Sequence, residues 1–235
     1  MMNQEQKEKI EKAITGTFMW SFKKGDNIVY NFEIIWEQYN AKAQAVTWSA
    51  KSKFNKPIIL LLISIIECIL DDFVNRVDQH VNDRVPNITS SQITDFKTKK
   101  RDKLEHYIAA AKLHNLFDAD DAFYDDLDYL RKARNRFHIQ NTKHQLDENE
   151  SSIFTNSNVN KAERVFETVL ERMMTKFFRG ASLEIQFSEV PLPWSRATPL
   201  PVAVEVSGPP WMCPECDEVY PPEVPYCLEC GLERF

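Results

Sequence analysis

From Ile10 to Phe177 the apolar residues recur three or four positions apart far more often than in alternation, which is the signature of packed amphipathic helices. Residues 3 to 15 read as a short helix, and Phe32, Ile35, Trp36 and Tyr39 form an i, i+3, i+4, i+7 stripe on a second. Residues 17 to 30, between them, carry no decisive period and are compatible with a hairpin. Pro57 suits the first turn of a long apolar helix running to about Val81, because its missing N–H would lack a partner there anyway. Thr89 with Gln92 forms a capping-box signature for a helix carrying Ile93, Phe96, Leu104, Tyr107, Ile108 and Ala111. Another is expected from about Asp120 to Gln140. The last, from Asn158 to Phe178, has the cleanest stripe: Ala162, Val165, Phe166, Val169, Leu170, Met173 and Phe177, with Gly180 as its stop. The predicted class is all-α.

Proline marks the end of this region. Ten of the 12 prolines follow Gly180, so a domain boundary is expected there, with a helical domain over residues 1 to 180. Residues 181 to 210 then read as a proline-rich, partly extended linker that lies against the bundle or adds a small hairpin. Residues 211 to 235 form a third unit.

Composition changes the picture little: 43% hydrophobic and 27% charged residues are ordinary for a globular protein. Pro57 to Leu70 (PIILLLISIIECIL) is apolar enough to suggest a membrane span. Fourteen helical residues, however, cover about 21 Å of a roughly 30 Å hydrocarbon layer, and Glu67, Asp71 and Asp72 interrupt and close the run. A helix buried in a bundle is the better reading. The first residues lack a basic segment followed by an apolar one, so a cytoplasmic location is expected.

Four of the five cysteines form two matched pairs, CPEC at Cys213 and Cys216 and CLEC at Cys227 and Cys230. A Cys-x-x-Cys turn aims two thiolates at one point, and two such turns supply the four-sulfur tetrahedron of a structural zinc site. A segment this short and poor in large apolar side chains needs such a staple. The resemblance is to a zinc ribbon. Six acidic residues stand in residues 211 to 235 against Arg234 alone, and four thiolates on one dication add further negative charge. A phosphate backbone would be repelled, so the ribbon is expected to be a clasp or a protein-docking piece. Cys68 reads as a small buried hydrophobe.

The sequence LRKARNRFHIQN, residues 130 to 141, holds the other candidate chemistry. On a wheel of about 100° per residue, with Arg131 at zero, Leu127, Leu130 and Phe123 fall between roughly −100° and −40°. Arg134 falls among them at roughly −60°, and His138 at roughly −20°. Five aspartates in the N-terminal half of this helix and basic residues in its C-terminal half complement the helix dipole, but the dipole does not explain the angle of Arg134. A guanidinium on a packing face needs a partner or a cleft. Glu67, the carboxylate on the apolar helix, is a candidate partner. Arginine, asparagine and histidine together suit RNA cleavage without a catalytic metal: the 2′-hydroxyl attacks the adjacent phosphate, His138 transfers the proton, and Arg131 and Arg134 stabilise the developing charge.

A helical bundle with a long apolar helix and a late helix bearing Arg131, Arg134, Asn135 and His138 resembles the HEPN domain family (higher eukaryotes and prokaryotes nucleotide-binding) over roughly residues 50 to 180. That resemblance implies a homodimer in which two motifs meet. It also implies an endoribonuclease of toxin–antitoxin, CRISPR or anti-phage systems, although other members only bind nucleotides or have lost activity. The family motif is an arginine followed after four to six residues by histidine, often with a polar residue next to the arginine. Arg134 has its Asn135, but only three residues separate it from His138; from Arg131 the gap is six, but Lys132 follows that arginine. Either arginine, or both, fills the role. RNA is thus the expected partner, and the competing class is a non-catalytic scaffold in which the arginines serve structure alone. The basic run Lys97, Lys99, Lys100, Arg101 and Lys103 extends the positive surface or is a solvated face. For His106, His114 and His144 a surface or capping role is expected.

Overall fold

Short polar side chains start most of the helices by accepting an otherwise unpartnered first-turn N–H. The computed structural model describes residues 2–79, 85–99, 101–136, 149–179, 185–194, 211–212 and 219–220. Within them the helices are α1 (Gln4–Glu11), α2 (Phe22–Gln44), α3 (Trp48–Ser52), α4 (Asn55–Asp78), α5 (Ser90–Thr98), α6 (Leu104–Leu113), α7 (Asp121–Asn135), α8 (Glu150–Ile153) and α9 (Asn156–Thr175). Asn3, Ser21, Thr47, Thr89, Asp120, Asn149 and Thr155 are the side-chain N-caps, and Asn3 and Thr89 form full capping boxes. The all-α class holds.

Helix α4 is the hub. It packs against α2 and α9 along its length and also meets α3, α5, α6 and α7. This is why its sequence is apolar nearly all round: Ile58, Ile59, Leu62, Ile63, Ile65, Ile66, Ile69 and Leu70 are all buried. Pro57 is the third residue of α4, inside the first turn. Each such side chain removed from water contributes roughly 1.5–3 kcal/mol. Among the described residues, no helix is long and apolar enough to cross a membrane.

Residues 17 to 30 are largely helical, because α2 begins at Phe22 and runs without a break through the stripe of Phe32, Ile35 and Trp36. Helix α1 continues into a π-turn, Lys12–Gly16, that lies against α2. Gly25 allows this approach: a Cβ there would collide with the Thr15 methyl. The first fifty residues therefore belong to the bundle, with Ile10, Ile14, Phe18, Met19, Phe32 and Trp36 in the common core.

Two buried charges brace the elements. Asp72 of α4 accepts the N–H groups of Trp20 (2.6 Å) and Ser21 (3.0 Å) at the start of α2. Arg76 of α4, 1% exposed, donates to the carbonyls of Phe177 (2.6 Å) and Phe178 (3.2 Å) beyond the end of α9. Arg179 ties the same strand of chain to the carbonyl oxygens of Thr17 and Met19. Residues 185–194 lie against the bundle and carry a 3₁₀ turn, Phe187–Glu189. Ile185, Val190 and Leu192 are buried, and Trp194 packs its ring on Phe32, Tyr39 and Phe166.

The single helix expected across Ile93 and Ala111 is two, α5 and α6. The side chain of Arg101 folds back to donate to the carbonyls of Asp95 (2.9 Å) and Phe96 (3.1 Å), closing α5 while Lys99 turns to extended backbone. Helix α7 runs to Asn135 with Arg136 as its C-cap, and residues 137–140 of the expected helix lie outside the described residues. Beyond the bundle, Trp211–Met212 (β1) pairs antiparallel with Val219–Tyr220 (β2), Trp211 opposite Tyr220 and Met212 opposite Val219. Cys213, Cys216, Cys227 and Cys230 lie outside the described residues.

Candidate functional site

The last two turns of α7 bring Arg131, Arg134 and Asn135 to one cleft of about 210 Å³, whose other walls are Glu67 of α4 and the segment Asp102–Glu105 that leads into α6. Capping explains why α7 delivers them there. Asp120 accepts the N–H of Phe123 at 3.0 Å and fixes the start, and Tyr124, Leu127, Leu130 and Ala133 then face the neighbouring helices. With that register set, the residues at the C-terminal end project toward α4 and α6.

The two arginines exchange the roles expected of them. Arg131 is the buried one, 9% exposed, whereas the Arg134 side chain keeps 35% of its surface. A wheel gives the angle of a side chain but not the depth of the neighbour over it. Helix α7 touches α4, α6 and α9, so its covered arc is wider than its apolar stripe and includes Arg131 at one edge. Arg134 sits in the final turn, where that cover thins.

Each guanidinium is held by carboxylates of this chain. Arg134 pairs with Glu67 at 2.5 Å, as expected, at the rim of the cleft. Arg131 donates from Nε to Asp128, one turn earlier on α7, at 2.7 Å, and its head group lies 3.6 Å from Glu105. Lys132 also reaches Asp128, at 2.8 Å. Asp128 is 34% exposed at its side chain. Burial there tends to raise its carboxyl, but the bonds from Lys132 and Arg131 overcome this and hold it below the usual carboxylate range. Glu67 behaves oppositely. Burial raises its carboxyl, Arg134 offsets part of the rise, and the neighbouring charge of Asp71 adds to it. Three bases, Lys103, Arg131 and Arg134, thus line the cleft with three acids, Glu67, Asp102 and Glu105.

Helix α6 begins at this cleft, and its N-cap, Lys103, makes no side-chain cap bond. The positive end of the α6 dipole and the two guanidinium groups therefore face the same space. The chemistry available is recognition of an anion by planar, bidentate donors. Among the described residues no cluster of three or more histidine, cysteine or acidic side chains could hold a metal ion. His138 and the four paired cysteines lie outside the described residues.

Asp102 and Glu105 carry no signal of their own in the sequence, standing within and just beyond a basic run. Only the fold of α6 against α7 brings Glu105 to Arg131. Asp128 was detectable, being three residues before Arg131 on one helix. The basic run itself is divided: Lys103 enters the cleft, while Lys99 and Arg101 turn to Asp95, which also bonds His114 Nε2 at 2.9 Å. Asp95 is pulled down to about 2, chiefly by Lys99 and His114. His114 is mostly buried and caps the end of α6, whereas His106 is half exposed beside Asp102.

A larger hollow, about 610 Å³, lies between Trp48, the start of α4 and Phe154–Asn156. It holds none of the predicted site residues, and its Lys56 is paired with Glu150 at 2.7 Å. Compared with known proteins, the chain matches no family model, no curated protein and no solved structure. The class that the fold defines is a helical bundle organised around one buried helix.

Proposed function

We propose that this protein is an endoribonuclease of the HEPN type, working as a cytoplasmic homodimer in a toxin or anti-phage setting without a catalytic metal. The observation that supports this reading is the convergence of Arg131, Arg134 and Asn135 on one cleft at the end of α7, with His138 following Asn135 in the sequence after Arg136 and Phe137. In the proposed reaction the 2′-hydroxyl of RNA attacks the adjacent phosphorus and the 5′-oxygen leaves. His138 takes the hydroxyl proton and a proton is returned to the leaving oxygen. Arg131 and Arg134 hold the non-bridging oxygens as charge accumulates on them, and Asn135 orients the group. The products are a 2′,3′-cyclic phosphate and a 5′-hydroxyl.

The proposed zinc ribbon is separate from this chemistry. Cys213, Cys216, Cys227 and Cys230 are four soft thiolate donors, the set that suits one structural zinc, and the acidic residues beside them in the sequence suit a protein partner rather than RNA. The purified chain is expected to carry one zinc.

A second reading is favoured by a specific observation: both arginines already have carboxylate partners, which is what a non-catalytic scaffold would need. The test compares wild type with His138→Ala on mixed RNA in magnesium-free buffer containing a chelator. Cleavage to cyclic-phosphate ends by wild type, reduced at least about a hundredfold in His138→Ala, is the expected result. Equal, background-level cleavage by both proteins selects the scaffold.

A further inference from the structure

The cleft presents a difficulty for any anion that would use it, because its guanidinium groups are occupied. The two are not occupied alike. Arg131 is buried, bonded through Nε to an acid of its own helix, and close to a second acid on α6. Arg134 is held by Glu67 at 2.5 Å, and both side chains keep contact with water, 35% and 25% exposed. A carboxylate and a phosphate offer an arginine the same pair of oxygens. From these contacts we propose that Glu67 holds the place of a phosphate oxygen against Arg134, so that the carboxylate and a phosphodiester compete for one guanidinium. This deepens the ribonuclease reading and rests on the cleft being the anion site.

Three features support the exchange. First, the partner can leave: Glu67 lies on α4 at the cleft wall, where it can turn toward solvent without unpacking the helix, since its neighbours Ile66, Ile69 and Leu70 carry the packing. Second, Glu67 is not needed to satisfy buried backbone, unlike Asp72 five residues on, whose two oxygens accept main-chain N–H groups. Third, Asp71 on the same helix faces the same side and is itself bonded by Tyr107 Oη at 2.7 Å and Lys24 at 2.5 Å. A negative group therefore stands one turn behind Glu67, and its repulsion makes the Glu67 charge less comfortable in place. Arg131 keeps its own carboxylates and offers the phosphate its remaining N–H donors, while Arg134 changes partner.

The consequence is a brake on binding. An anion gains the Arg134 contact only by displacing a tethered competitor present at high effective concentration, so the wild-type cleft binds weakly and with a small salt dependence. The experiment uses the full chain with two probes, inorganic phosphate and a short 2′-O-methyl oligoribonucleotide that cannot be cleaved. Binding is read from the arginine Nε–H resonances in the first case and from fluorescence anisotropy over a salt series in the second. Glu67→Gln is expected to bind both probes about 3- to 10-fold more tightly and to steepen the salt slope by about one charge. Glu67→Ala gives the same direction, which covers any folding defect of one variant. The gain vanishes when Arg134→Gln is added.

Unchanged or weaker phosphate binding by both Glu67 variants, with melting temperatures near wild type, overturns the proposal. So does a gain that survives Arg134→Gln. The outcome is separable from the ribonuclease reading. A gain in phosphate binding without cleavage of RNA by wild type keeps the competition and removes the enzyme; cleavage by wild type with no gain in the variants does the reverse.

Discussion

Arg76 and Arg134 are both arginines on helices of one bundle, and they are held in opposite ways. Arg76 is sealed in the interior and donates to the main-chain carbonyls of Phe177 and Phe178. Arg134 stands at a cleft and pairs with the half-buried carboxylate of Glu67. A main-chain partner cannot move without unfolding the segment that carries it, so a charge bound to the backbone is a brace. A side-chain partner can rotate away at the cost of a rotamer, so a charge bound to a carboxylate at a rim can be handed to a ligand. Asp72 and Glu67 repeat the contrast among the acids of α4. Function is therefore best sought where charge is satisfied by side chains next to open space.

The comparison can be broken most sharply at Arg76. Arg76→Ala leaves carbonyls beyond α9 without their donor and opens space beside Phe73 and Phe177, whose rings are 4.8 Å apart. The expected loss is about 3–5 kcal/mol in denaturant unfolding, enough to unfold a marginal domain. A loss below about 1 kcal/mol would remove the brace from the account.

A smaller effect is expected from pH. Glu163 of α9 accepts a hydrogen bond from Tyr39 Oη, and burial lifts its carboxyl to about 7, with Tyr39 and Lys42 offsetting part of the rise. The folded protein therefore retains a proton between about pH 4.5 and 7 that the unfolded chain releases. Stability should fall as pH rises through that interval and level off above it, by about 1–3 kcal/mol in all. Unfolding curves of wild type and Glu163→Gln from pH 4.5 to 8 measure this, and only wild type should show the Glu163 slope. An equal slope in both proteins would assign it elsewhere.

The least effect on stability is expected at the cleft. Arg134→Gln removes a pair that is one-third exposed, worth about 0–1 kcal/mol. If the side-chain partnership is exchangeable, the variant melts close to wild type and loses phosphate binding. A loss comparable to that of Arg76→Ala would place Arg134 among the braces and erase the distinction between the two regions.

Much of the bundle was legible residue by residue. The stripe of α9 from Ala162 to Met173 appeared in the sequence as it stands in the fold, and Thr89 and Gln92 marked the start of α5 through a local bond that needs no tertiary partner. The apolar run of α4 was read as buried because its length falls short of a bilayer. The division of α5 from α6 was missed because the group that closes α5, the Arg101 side chain, acts from beyond its end. The packing of residues 185–194 against α2 and α9 is not decided by the sequence pattern, since prolines report extended chain but not what it rests on.

At the candidate site the division is similar. Arg134 stands out in the sequence because charge on an apolar helix face is costly, and that cost is visible in a linear pattern; Arg131 and Asn135 stand out only through the chemistry of the set and the family resemblance. Which arginine is buried, and that Glu105 and Asp102 join the cleft, depended on where α6 crosses α7. The sequence by itself determined the helices, their caps and the charged residues that interrupt an apolar face, because these follow from spacings of a few residues along one backbone. Only the tertiary structure decided which charges are fastened to main chain and which to movable side chains, because that choice is made between elements distant in sequence, by the depth at which one helix covers another.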